Sequence, residues 1–287
     1  PHFDEGLLAA ERNNFLAAVN PEGNIFGLAL TDLTTGDFKV TEVEGENALW
    51  TELQRLRPAE IIYPSENGRV RELLQGRLGP TLPDVSEQPS AVDSARPAPT
   101  GSIPPNFSER LWITNGYDDW VFAPETAQFT VREHFKVASL DGFALKDRTA
   151  AIGAVGAVLH YLSQHLRREP TNLTRLSFYL RNDFLVLDFT TLRHLEILEP
   201  LHHDAPKTAS LYGALGRTVT PMGARRLRDW LSQPLAAVEP IRQPQQAVGL
   251  FIQNPAGLEE FRGQLIQVRD LERTIGRLSA GTGNARD

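Results

Sequence analysis

TVTPMGARRLRDWLSQPL, residues 218–235, contains a helix with both of its boundaries written into the sequence. Thr220 suits the N-cap, and Pro221 suits the first helical position, where a missing N–H costs nothing. Pro234 stops the helix. At about 100° per residue, Gly223, Ala224, Leu227, Trp230 and Leu231 share one face, predicted to be core. Arg225, Arg226, Arg228, Asp229 and Ser232 share the other, predicted to be wet. Gly223 costs about 1 kcal/mol of helix propensity relative to alanine, so a close approach by another backbone is expected there.

Outward from this helix, the chain divides by charge. The 287 residues carry a net charge of −7. Residues 207–287 hold 11 Lys and Arg against 7 Asp and Glu, whereas residues 1–206 hold 18 against 29. The first part therefore repels nucleic acid, and the mild basicity of the second is read as solvated helix surface. There is no cysteine, which excludes disulfides, thiolate nucleophiles and cysteine-based zinc sites. No apolar run approaches the roughly 20 residues of a membrane span, and residues 1–14 do not resemble a secretory signal, so a cytoplasmic protein is expected.

Upstream, residues 15–19, 25–33 and 37–43 read as three strands joined by turns at Gly23 and Gly36. A helix at 47–56, a buried strand at 60–63 and a helix at 66–78 follow. This order predicts an α/β fold of the ribonuclease-H-like kind. Residues 80–105, rich in proline and small side chains, read as a flexible loop. Further on come a helix at 125–135, a turn at 139–145 and the longest helix, striped by Ala151, Val155, Val158, Leu159, Leu162 and Leu166. Gly153 and Gly156 are expected to bring that helix close to the sheet. A linker at 167–172 puts the boundary near residue 168. Beyond it, strand-like runs at 177–180 and 184–188 precede a mainly helical second domain. A helix restarts at Gln243-Pro244, and Val268, Leu271, Ile275 and Leu278 show the spacing of a bundle helix.

The opening stretch closely resembles the start of the core, or lever, domain of the MutS family of DNA mismatch repair proteins, whose pattern is T-x-M-G-x-R-x-L-x-x-W-L-x-x-P-L. Thr220, Met222, Gly223, Arg225, Leu227, Trp230, Leu231, Pro234 and Leu235 supply every fixed position. Asn13-Asn14 with FLAAV, FGLALTDLTTGDF, ELQRLRPAEIIYP, TLRHLEI and VRDLERTIGRL extend the resemblance over the chain. It implies a connector domain at 1–168 and a truncated core domain at 169–287, a non-catalytic fragment coupling mismatch recognition to an ATPase. MutL, mismatched duplex DNA and a dimeric assembly are implied partners of the full-length protein, and ATP and magnesium its implied cofactors. None of these cofactors is expected in this chain, which has no G-x-x-x-x-G-K-[ST] segment. The resemblance also marks the helix at 125–135, with Phe129 and Thr130 at its middle, as the place to seek a MutL-docking surface.

The alternative is a metal-dependent nuclease, which needs carboxylates converging on two cations. Asp32 is its first candidate, with Asp37, Glu52, Glu60 and Asp147 as possible partners, and a structural role for Asp32 is the preferred reading. His202, His203 and Asp204, with His194 and Glu196 upstream, are read as a solvated loop rather than a metal site. Ser210 lacks the glycines of a nucleophile elbow. Arg269, Arg273 and Arg277 are read as a salt-bridged exposed face.

Overall fold

A computed structural model describes residues 13–76, 112–166, 170–202 and 204–279. The loop predicted at 80–105 and His203 lie outside the described residues.

Strands β1 (Leu16–Glu22), β2 (Ile25–Asp32) and β3 (Asp37–Glu44) form the expected antiparallel meander. Gly23 and Gly36 hold its turns at positive φ. Helix α1 (Glu46–Leu56) carries the chain across to β4 (Glu60–Pro64), which lies parallel to β1. Helix α2 (Gly68–Gly76) precedes β5 (Ile113–Tyr117), parallel to β4 at one edge. At the other edge β6 (Ser177–Phe178) pairs parallel with β3, so the sheet takes its sixth strand from beyond residue 168. The order is β5-β4-β1-β2-β3-β6.

The period-two alternation of β1 sends its residues to two cores. Leu16 and Ala18 join Ala29, Phe38, Val40 and Ile62 beneath α3 (Asp119–Phe122), α4 (Pro124–Phe135) and α5 (Thr149–Leu166). Phe15, Ala17 and Val19 join Phe26, Leu28, Leu30 and Ile61 beneath Leu49 and Leu53 of α1 and Val70 and Leu74 of α2. Helices thus cover both faces, and burying each large apolar side chain contributes about 1.5–3 kcal/mol before entropy is subtracted.

Helix α5 is seated by a row of residues running across β1, β2 and β3. Asn20 pairs with Gly27, and Gly27 with Glu42. The Asn20 side chain donates to the Ala150 carbonyl at 3.2 Å, while Glu42 accepts from the Ala151 N–H at 3.0 Å. Gly27 makes the room between them, since a Cβ there would stand 1.9 Å from the Ala150 oxygen. The close approach expected of Gly153 is real and falls on Asn20 and the Phe122 carbonyl; that of Gly156 is made to Ala127 of α4, not to the sheet.

Beyond the sheet come α6 (Phe189–His194), α7 (Leu211–Leu215), α8 (Pro221–Ser232), α9 (Val238–Gln253), α10 (Pro255–Leu265) and α11 (Leu271–Ser279). The chain is an α/β unit followed by a helical one. Two expectations are corrected here. The run at 184–188 is not a strand; it offers only a bridge from Phe184 to Leu235. Helix α9 starts at Val238, not at Gln243, and carries Pro244 inside it. The predicted bundle stripe faces solvent, with Leu271, Ile275 and Leu278 all exposed, while the opposite side of α11 buries Gly276. Val248, Leu250 and Ile252 of α9 are exposed as well. No described helix is long and apolar enough to cross a membrane.

Candidate functional site

The motif helix α8 begins as its sequence demands. Thr220 caps it by accepting from the Gly223 N–H at 3.1 Å, and Pro221 occupies its first turn. Gly223 faces the side chains of Thr220 and Thr218 rather than another backbone. At the far end, the Pro234 carbonyl accepts from Leu185 at 2.8 Å, and Leu235 bridges to Phe184. The predicted division of its faces holds only in part, with Arg226 exposed as expected. Trp230 is 48 % exposed, with the Arg226 guanidinium over its ring, whereas Arg225 and Ser232 are buried beside Ala224. Met222, Leu227 and Leu231 are half-buried.

Arg225 is buried because it is fully matched. It makes two bonds of 2.7 Å to the two oxygens of Asp270 and further bonds of 3.2 and 2.6 Å to Glu272. This clamp ties α8 to the start of α11, where Asp270 also accepts from the Arg273 N–H. Burial pushes the Asp270 carboxyl up, but hydrogen bonds from Arg225 and the Arg273 backbone hold it below the usual carboxylate value. Arg273 lies near Asp270 at 3.9 Å, and Arg277 donates to Thr274, so these arginines belong to the inner side of α11.

That inner side meets the β2–β3 turn. Asp32 is wholly buried, and its carboxylate accepts from the Asn14 N–H at 2.9 Å, the Thr34 N–H at 2.8 Å and the Thr34 hydroxyl at 2.6 Å. Its acceptor capacity goes to bracing the turn. Of the other carboxylates considered with it, Asp37 meets Lys39 at 2.6 Å, and Glu52 and Glu60 are engaged elsewhere. Arg55 and Tyr179 bind Glu52, and Tyr161 and Asn115 bind Glu60. Burial pushes Glu52 up, yet Arg55 holds it below its usual value. Among the described residues no group of three or more His, Asp or Glu is arranged to hold a metal ion. Ser210 caps α7, accepting from the Gly213 N–H at 3.1 Å.

Between the two units lies a crevice of about 620 Å³, walled by Phe15, Leu56, Phe189 and Leu192 and by α8. Glu199 spans it, 3.9 Å from Arg57 of α1 and 3.2 Å from Arg228 of α8. Asp229 also lines it. Burial pushes the Asp229 carboxyl up, Lys39 pulls it down, Asp37 pushes it up again, and Arg226 and Arg55 pull it down; the net is above the usual carboxylate value. An acid with a raised pKa holds its proton more tightly in the fold, so that contribution is complete at low pH and is lost as pH rises through the folded value. Asp229→Asn is therefore expected to raise the melting temperature at pH 7 by about 2 °C and to leave it unchanged below about pH 4, as read by thermal unfolding across that range.

The two residues singled out for docking lie apart from this junction. Phe129, at the middle of α4, is 67 % exposed. The Thr130 hydroxyl donates to the Thr126 carbonyl within the same helix at 2.9 Å. Sequence reasoning missed Asp270, Glu272 and Gly276 as junction residues, although the VRDLERTIGRL segment contains all three.

An α/β unit thus meets a helical unit at the β2–β3 turn, and a buried arginine ties α8 to the start of α11 beside it. In comparison with known families, residues 14–90 and 109–176 match the model described as MutS domain II, and residues 190–287 that described as MutS domain III. The DNA mismatch repair protein MutS of Trichormus variabilis is 35 % identical over 286 residues, covering 99 % of this chain and 31 % of the relative. Those of Microcystis aeruginosa and Synechococcus elongatus are each 36 % identical, over 289 and 285 residues, covering 99 % of this chain and 30 % of each relative. The chain belongs to the MutS family of DNA mismatch repair proteins and matches its connector and core domains. It spans about 30 % of the length of these relatives, and the ATPase domain is not among the domains matched.

Proposed function

We propose that this chain is the connector domain (residues 1–168) and the first part of the core domain (residues 169–287) of a mismatch repair protein. In this reading it carries movement between mismatched duplex DNA and a distant ATP site. The observation that carries the reading is the junction itself, where the family's motif arginine is spent on tying α8 to α11 instead of facing DNA. The sheet order β5-β4-β1-β2-β3, with the first three strands antiparallel and the others parallel, supports a ribonuclease-H-like connector. The exposed apolar faces of α9 and α11 support further core helices packing there. ATP and magnesium act outside this chain, whose sequence has no phosphate-binding loop of the G-x-x-x-x-G-K-[ST] kind. The net charge of −7 leaves this part with little duplex affinity of its own. The working assembly is a dimer.

The same reading places MutL docking on α4, with Phe129 as its apolar anchor and Thr130 beside it; the exposure of Phe129 supports this. In the intact protein, Phe129→Glu is expected to weaken MutL capture at least tenfold while leaving the affinity for mismatched duplex unchanged. Unchanged capture of MutL overturns the docking assignment.

A further inference from the structure

Besides the pairing of β6 with β3, helix α11 approaches the sheet unit backbone to backbone. A Cβ on Gly276 would stand 2.4 Å from the Thr34 carbonyl oxygen, 3.0 Å from its carbon and 3.1 Å from the Leu33 oxygen. Neither side of this contact is free to yield. The turn is held by the Asp32 carboxylate, by bonds from the Thr35 and Gly36 N–H groups to the Asp32 carbonyl, and by the Asn172 side chain, which donates to the Leu33 carbonyl at 2.7 Å. Helix α11 is held by the Arg225 clamp at its start and by the Thr171 hydroxyl, which donates to the Ser279 carbonyl at its end.

Across the crevice the units meet through softer means. Glu199 is 45 % exposed at the side chain and links Arg57 to Arg228 across a crevice with room to narrow. Side chains on an exposed carboxylate can change partners at little cost, whereas a glycine Cα against a braced carbonyl cannot compress. With β6 fixed to β3, a braced contact beside a gap is a point about which α11 can tilt.

We propose that Gly276 resting on the Thr34 carbonyl is the fulcrum of the junction, the point at which tilting of α11 is converted into force on the β2–β3 turn. This rests on the coupling role proposed above. It makes Gly276 a positioning residue whose value lies in having no side chain.

Alanine scanning of glycines gives the test. Gly263 lies in α10 with nothing within 4 Å of its missing Cβ, so Gly263→Ala gains helix propensity alone. Gly276→Ala gains the same propensity but meets the carbonyl. In this chain, Gly276→Ala is expected to lower the melting temperature and to speed amide exchange at Thr34 and Thr35 at least tenfold, and Gly263→Ala to do neither. In the intact protein, Gly276→Ala is expected to cut the response of ATP turnover to mismatched duplex at least tenfold without changing basal turnover. Thr34→Ala, which removes only the hydroxyl bond to Asp32, is expected to cut that response less severely and serves where Gly276→Ala does not fold. Unchanged exchange at the turn in Gly276→Ala, or an intact mismatch response in both variants, overturns the fulcrum. A wild-type protein whose ATP turnover ignores mismatches overturns the coupling role instead, while the exchange result still reports on the contact.

Discussion

Gly27→Ala is expected to destabilise the protein by about 3–5 kcal/mol, enough to leave much of it unfolded at 37 °C. The methyl group would have to occupy space 1.9 Å from the Ala150 oxygen, 2.2 Å from its carbon and 2.6 Å from the Ala151 nitrogen. All three are backbone atoms of a helix that cannot step aside, because Asn20 and Glu42 bond those same peptide groups. Lifting α5 would sever both bonds and open the core formed by Val155, Val158 and Leu162. The change is measurable as a fall in the urea midpoint with the slope retained. An alanine variant with wild-type stability would mean that α5 does not sit on the sheet at this row.

Arg225→Ala is expected to cost about 3 kcal/mol, because it removes the buried cation and strands the mostly buried Asp270, while the half-exposed Glu272 can turn to solvent. Arg225→Lys is expected to recover part of that loss, since one ammonium group cannot reproduce a fork that bonds two carboxylates at once. The pH dependence gives an independent reading. Asp270, whose folded pKa lies below its usual value, contributes stability above the unfolded pKa and loses it as pH falls through the folded one. The gap between wild type and Arg225→Ala is therefore expected to close as pH drops below about 4, followed by urea unfolding at successive pH values.

These two positions show where the sequence was legible and where it was not. Thr220 and Pro221 announced the start of α8 because capping is a contract between residues three apart, and the same locality made the turns at Gly23 and Gly36 readable. The two partners of Arg225 lie 45 and 47 residues away, so helical periodicity placed it on a wet face. Trp230 failed in the opposite sense: its size marked it as core, but its ring lies half in solvent beneath Arg226. The stripe at Leu271, Ile275 and Leu278 was a correct sign of amphipathicity, but it could not show that α11 turns its glycine and arginines toward the β2–β3 turn. Asp32 was legible in kind, as a structural carboxylate, and the structure supplied its three donors.

Family membership, the caps, the meander and the change from an α/β unit to a helical one were determined by the sequence alone, through interactions spanning a few residues and a motif of nine fixed positions. Only the tertiary structure decided which arginine is buried, which glycines admit a backbone, and which side of α11 meets the turn. Those outcomes depend on atoms brought together from distant parts of the chain, and neither local propensity nor periodicity carries that information.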